Sequence, residues 1–203
     1  MARIRTFIAV NISDSIRERA ATLQKKIASL APGIKWVEPE SMHLTLHFLG
    51  EVEELDLVSI CRVVTDCARN LPAFSVRIGT VGVFPTPRRP KILWLGVQEG
   101  AESLTLLHQV LEKPLLATGC YRKEDRPYYP HLTLGRISQD DRELAWSTLI
   151  TEHREWYGGH CDIHEILVMR SENHRDRPIY TVVGRGRLRG LSVPLETQEH
   201  EEG

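Results

Sequence analysis

Two identical tetrapeptides, His43-Leu44-Thr45-Leu46 and His131-Leu132-Thr133-Leu134, carry the residues of this 203-residue chain best suited to chemistry. From nine His, 13 Thr and 24 Leu, each is expected by chance about 0.01 times per chain. In a β-strand, side chains alternate between two faces. Leu44, Leu46 and Phe48 then point into a core, and His43, Thr45 and His47 point the other way. Leu132 and Leu134 are likewise inward and His131 and Thr133 outward. Imidazole titrates near ~6.5, so one ring can take a proton while another gives one. Threonine hydroxyls can donate to non-bridging phosphate oxygens as charge builds on them. Two such pairs facing each other suit phosphate-ester chemistry with no metal, the ring nitrogens standing roughly 5–8 Å apart. A strained ribose 2′,3′-cyclic phosphate is a natural substrate, because it needs only an in-line water and a protonated leaving oxygen.

The elements that must position these residues fall into two similar runs. Alternation predicts strands at Arg3–Val10, Ile34–Val37, Met42–Leu49, Ala73–Val83, Lys91–Val97, His131–Ile137, Asp162–Arg170 and Ile179–Leu188. Helical periodicity predicts Ser13–Leu30, Glu53–Arg69, Ala101–Thr118 and Asp140–Ile150. Each motif lies about 40 residues after an opening strand, and the two are offset by 88 residues, too long a period for a solenoid. The fold class expected is α+β, two similar lobes, roughly 1–90 and 91–188, with a cleft between them. One bilobal catalytic domain then spans 1–188, and 189–203 is an acidic tail expected to be disordered.

Composition narrows the partners. Lys and Arg total 26 and Asp and Glu 27, for a net charge of −1. Glu196–Gly203 holds four Glu, and the rest of the chain stands at +3. A globally basic nucleic-acid binder is therefore not expected, although a local basic groove is. No apolar run approaches the ~18 residues of a membrane span, and Met1–Ile12 lacks the features of a signal peptide. Cys61, Cys67, Cys120 and Cys161 form no CxxC pair, so reduced thiols and a cytoplasmic location are expected. A monomer is expected, since one chain supplies both halves of the groove, and no cofactor is called for.

The chain resembles the two-histidine (2H) phosphoesterase superfamily, defined by paired His-x-Thr-x motifs. It is more closely similar to the RNA 2′,3′-cyclic phosphodiesterase branch, historically called bacterial and archaeal 2′-5′ RNA ligases. Arg5–Ala9, Ile34–Val37, Gly82–Pro85 through Arg88-Arg89-Pro90 to Leu93-Trp94, and Pro130–Leu134 with Arg136 carry that closer likeness. The resemblance implies a bilobal α+β fold, two pseudo-twofold-related lobes around a central groove, and hydrolysis of RNA 2′,3′-cyclic phosphate ends to a 2′-phosphomonoester. It implies His43 as proton donor to the leaving ribose oxygen and His131 as the base that activates water, with Thr45, Thr133 and Arg136 on the phosphate. Reversible 2′-5′ RNA joining, hydrolysis of another cyclic nucleotide phosphate, and an RNA-binding module with incidental catalysis are the alternatives.

Strand parity puts Arg136 on the Leu132/Leu134 side, so it reaches the groove only if the strand ends or bulges near Gly135. His47, Phe84, Arg88, Arg89 and Tyr128 are candidate RNA contacts: basic side chains for the backbone, rings for stacking. His160, Asp162 and His164 share a strand face, but no further ligand cluster stands nearby and no metal site is assigned.

Overall fold

The computed structural model describes residues 3–138, 145–174 and 177–190. Its strands are β1 (Arg3–Val10), β2 (Lys35–Trp36), β3 (Leu44–Glu53), β4 (Phe74–Phe84), β5 (Ile92–Glu99), β6 (His131–Arg136), β7 (Tyr157–Ile163), β8 (Glu165–His174) and β9 (Arg177–Arg187). Its helices are α1 (Asp14–Ala28), α2 (Asp56–Arg69), α3 (Ala101–Ala117) and α4 (Trp146–Glu152). A 3₁₀ turn, Pro39–Ser41, leads into β3. The α+β class and nearly all the expected elements are present.

The strands form one curled antiparallel sheet in the order β7-β4-β5-β6-β3-β1-β8-β9, with β2 paired to β6. The β6–β3 joint leaves four strands on each side, and a single bridge, Leu44 opposite Leu132, connects the two motif strands there. The half-sheets do not follow the chain halves 1–90 and 91–188. β4, from the first half, lies beside β5, while β8 and β9, from the end of the chain, lie beside β1.

The expected single strand Asp162–Arg170 is two strands. β7 pairs with β4 at one edge, and β8 pairs with β1 on the far side of the sheet. The chain crosses between them at His164, whose carbonyl accepts from the Leu188 N–H at 2.9 Å. Of the expected helix Asp140–Ile150, α4 begins at Trp146, and residues 139–144 lie outside the described residues. So does 191–203, most of the expected tail.

The sheet is amphipathic by face. Ile8, Val10, Leu44, Leu46, Leu95, Leu132 and Leu134 point to the helix side and pack with Ile16, Leu23, Ile60, Val64, Leu104 and Leu111 in one continuous core. The other face has only a small cluster of its own, Phe7, Ala9, Leu167 and Met169, with Tyr180 and Val182 against it. That face, uncovered by helices, carries the outward residues of both motifs.

Helices α1 and α3 each lie beneath the opposite half-sheet. α1, which follows β1, packs on β7 and bonds to β6, while α3, which follows β5, bonds to β3. Burying each helix against the other half makes one core of two halves. The chain contains no helix long and apolar enough to cross a membrane among the described residues. The four cysteines are unpaired and half-buried.

Candidate active site

Both motif strands carry a β-bulge at the same place. Opposite β1, Ala9 pairs with Thr45 and Ile8 with His47, leaving Leu46 without a partner. Opposite β5, Trp94 pairs with Thr133 and Leu93 with Gly135, leaving Leu134 without one. A bulge shifts side-chain parity by one residue. Leu46 and His47 therefore both turn into the core, as do Leu134 and Gly135. Phe48 and Arg136 emerge on the open face, both exposed.

A bulged residue loses its ladder bond, and its carbonyl needs another donor. The Leu134 carbonyl accepts from Gln24 Nε2 of α1 at 2.9 Å and from the Val37 N–H at 2.9 Å. The Leu46 carbonyl accepts from His108 Nδ1 of α3 at 2.8 Å. Equivalent helices thus answer equivalent bulges. Neither Gln24 nor His108 stands out in the sequence, because their spacing from the motifs carries no local signal.

Ahead of each bulge the two histidines are held alike. His43 Nδ1–H donates to the Ser41 carbonyl at 2.8 Å, and His131 Nδ1–H donates to the Tyr129 carbonyl at 2.7 Å. In both, the acceptor lies two residues upstream, and the bond fixes the tautomer and leaves Nε2 as the free nitrogen. The antiparallel register about Leu44–Leu132 sets His43 across from Thr133 and Thr45 across from His131 on the open face. All four side chains are half-buried.

Burial lowers the proton affinity of both rings. His43 is brought down to about 4, chiefly by desolvation, with the positive charges of Arg17 and His131 adding and the Ser41 bond opposing. His131 is also lowered by burial, against its bond to Tyr129. Both rings are therefore neutral at pH 7 before substrate binds. A bound phosphate anion favours the imidazolium and raises both.

Aromatic rings line each side. Phe7 stacks on His43 at 4.7 Å, Tyr180 meets His43 edge-on at 5.3 Å, and Phe48 stands 6.4 Å from Phe7. On the other side Phe84 meets His131 edge-on at 5.1 Å, and Trp94 and Tyr129 pack on Phe84. Gly82 is required here: a Cβ would lie 2.3 Å from the Trp94 ring.

The remaining sequence-predicted residues divide. Phe84 is on the site wall, as above. Arg88 and Arg89 are exposed in the loop between β4 and β5, close to where Ile92 pairs with Arg136 and Lys35 pairs with Arg136, so that end of the sheet is basic.

His47 is not on the open face. It is 2% exposed, its Nε2 bonds the His108 carbonyl at 2.9 Å, and its Nδ1 bonds the Tyr121 hydroxyl at 3.1 Å. The Leu46 bulge put it there. Tyr128 stacks on His108 at 4.2 Å and donates to the Thr45 carbonyl at 3.1 Å, so it braces β3 instead of offering a free ring. Its neighbour Tyr129 is the exposed one.

His160 bonds Tyr157 and Glu99, and Asp162 accepts from Ser75. Among the described residues no cluster of His, Cys, Asp or Glu could hold a metal ion.

A curled antiparallel sheet with a His-x-Thr motif on each side of its central joint defines a phosphoesterase architecture of the two-histidine kind. The chain belongs to the 2′-5′ RNA ligase superfamily, whose family model matches residues 12–175. It is 32% identical over 183 residues to an RNA 2′,3′-cyclic phosphodiesterase of Aquifex aeolicus, covering 90% of this chain and 96% of that one. It is 36% identical over 179 residues to a protein of the same name from Methanothermobacter thermautotrophicus, covering 88% and 96%. Among solved structures, TT0787 of Thermus thermophilus aligns with a TM-score of 0.76 at 27% identity, over 92% of this chain and 99% of that one. Escherichia coli LigT complexed with 3′-AMP aligns with a TM-score of 0.75 at 25% identity, over 92% and 99%.

Proposed function

We propose that this chain hydrolyses RNA 2′,3′-cyclic phosphate ends to 2′-phosphomonoesters by histidine acid–base catalysis without a metal. The observation that carries the proposal is the matched anchoring of both Nδ1 atoms, at 2.8 and 2.7 Å, which leaves both Nε2 atoms available across one joint. The names of the relatives supply the substrate class. His43 Nε2 protonates the leaving ribose 3′-oxygen, and His131 Nε2 removes a proton from the attacking water. Thr45, Thr133 and Arg136 hold the non-bridging oxygens, with Arg136 brought to the open face by the Leu134 bulge. Arg88, Arg89 and Phe84 serve the RNA beyond the phosphate.

One chain carries both halves of the site, which supports a monomeric working unit, and the unpaired cysteines fit the cytoplasm. Aromatic walls on both sides of the joint also favour a second reading. A nucleoside on each side is what reversible 2′-5′ joining needs.

The test is product identity. An RNA oligonucleotide ending in a 2′,3′-cyclic phosphate, incubated with the protein in EDTA, is expected to yield a 2′-phosphate resolved by ³¹P NMR. A 3′-phosphate, or an intact ring, would overturn the assignment.

A further inference from the structure

β1 runs beside β8 without a register break, so Arg5, Phe7 and Ala9 share the open face. Arg5 pairs with Ser171, Ser171 pairs with Tyr180, and Phe7 pairs with Met169. Tyr180 touches His43 and Phe7 edge-on. The guanidinium groups of Arg5 and Arg136, from different strands, both act on the Tyr180 hydroxyl: their charge opposes the upward push that burial gives it. Arg5 is exposed, and it stands opposite Glu51 on β3 but is in none of the ion pairs among the described residues. Its Cα lies two residues, about 7 Å along the strand, from the Cα of Phe7, whose ring stacks on His43.

On the other half-sheet the exposed arginines, Arg88 and Arg89, lie in the loop ahead of β5 and not on the strand itself. Trp94 faces Thr133 as Ala9 faces Thr45, and four residues before Trp94, in the place of Arg5, stands buried Pro90. The two walls are therefore unlike: on one, Pro90 stands where the other carries Arg5 on the strand beyond Phe7 and Tyr180.

We infer that Arg5 and the Tyr180 hydroxyl form a second phosphate subsite, which holds the phosphate on the 5′ side of the terminal nucleotide. This rests on the role of His43 given above. If His43 protonates the leaving 3′-oxygen, the ribose lies on the His43 wall. Its 5′ substituent then runs along β1 toward Arg5, away from the scissile group. The subsite makes the protein prefer an RNA end, or a 5′-phosphorylated nucleotide, over a free nucleoside 2′,3′-cyclic phosphate.

The experiment compares cytidine 2′,3′-cyclic phosphate with its 5′-phosphorylated form, on the wild type and on Arg5→Gln. Arg5 is exposed on a strand, and a matching thermal midpoint would show the variant folded. Wild type is expected to favour the 5′-phosphorylated substrate in kcat/KM by about tenfold or more. R5Q is expected to erase that preference and leave turnover of the 5′-hydroxyl substrate unchanged. Equal rates on both substrates in the wild type, or an equal loss on both in R5Q, would overturn the inference.

Calorimetric binding of cytidine 2′-monophosphate and 2′,5′-bisphosphate gives a readout apart from turnover. Tighter binding of the bisphosphate, lost in R5Q, supports the subsite even if neither cyclic substrate is opened and the hydrolase reading falls. Equal binding of the two by the wild type would overturn it.

Discussion

Two imidazoles with the same anchor stand at the centre of the candidate site, and in the proposed function each works through the nitrogen its anchor leaves free. Replacing either, as His43→Ala or His131→Ala, removes one proton-transfer partner. A loss of about 10²–10⁴-fold in kcat is expected, with an unchanged circular dichroism spectrum. The pair is legible in the sequence because both the tetrapeptide and its environment repeat.

Arg17 is not legible there, since nothing in its spacing marks it. Its guanidinium bonds the Ile12 carbonyl at 2.7 Å, Asp14 at 2.8 Å, Asn11 Oδ1 at 2.8 Å and the Met42 carbonyl at 3.4 Å. It thus ties the exit of β1 to the residue before His43, and its charge holds the His43 proton affinity down. Arg17→Met removes that charge, so the limb of kcat/KM that tracks His43 is expected to move to higher pH. Arg17→Lys keeps the charge and is expected to leave the limb in place. Titration of initial rates across pH 4–8 distinguishes the two.

Elements were easier to read than their faces. The alternation of β1, β3 and β6 gave their existence, and helical periodicity gave α1. The bulges could not be read. Leu46 and Leu134 are apolar whichever way they point, and the donors that permit the bulges come from helices that are distant in sequence and cross to the other half. That one unseen step placed His47 in the core and brought Phe48 and Arg136 out. The break at His164 was hidden for a related reason: both sides of it read as strand, and only pairing with β4 or β1 separates them.

The bulge caps make a stability prediction. Gln24→Leu takes one of two donors from the Leu134 carbonyl and the side-chain donor from the Val37 carbonyl. His108→Leu takes the side-chain donor from the Leu46 carbonyl, and each variant is expected to cost about 1–3 kcal/mol in denaturant unfolding. Behind β3, buried His47 is held at about 4, mainly by desolvation, against about 6.5 in the unfolded chain. Between those values the unfolded chain binds the extra proton. Stability from this residue is then complete above pH 6.5 and falls by up to about 3 kcal/mol as pH drops to 4. His47→Gln is expected to flatten the acid limb of an unfolding series.

At the scale of the molecule, the sheet and the two crossing helices make one body, and in the proposed function the chemistry sits at the joint between the motif strands. The walls that flank the joint are unlike, and that difference gives the groove a direction. The most direct test is the pH dependence of kcat/KM on an RNA 2′,3′-cyclic end in EDTA, for the wild type, His43→Ala and His131→Ala. Both rings are lowered by burial, so the wild type is expected to give a bell with its maximum below pH 6.5. His43→Ala is expected to retain only the rise with pH that tracks deprotonation of His131, and His131→Ala only the fall that tracks deprotonation of His43. A bell that survives intact in either variant, or activity abolished by the chelator, would contradict the account.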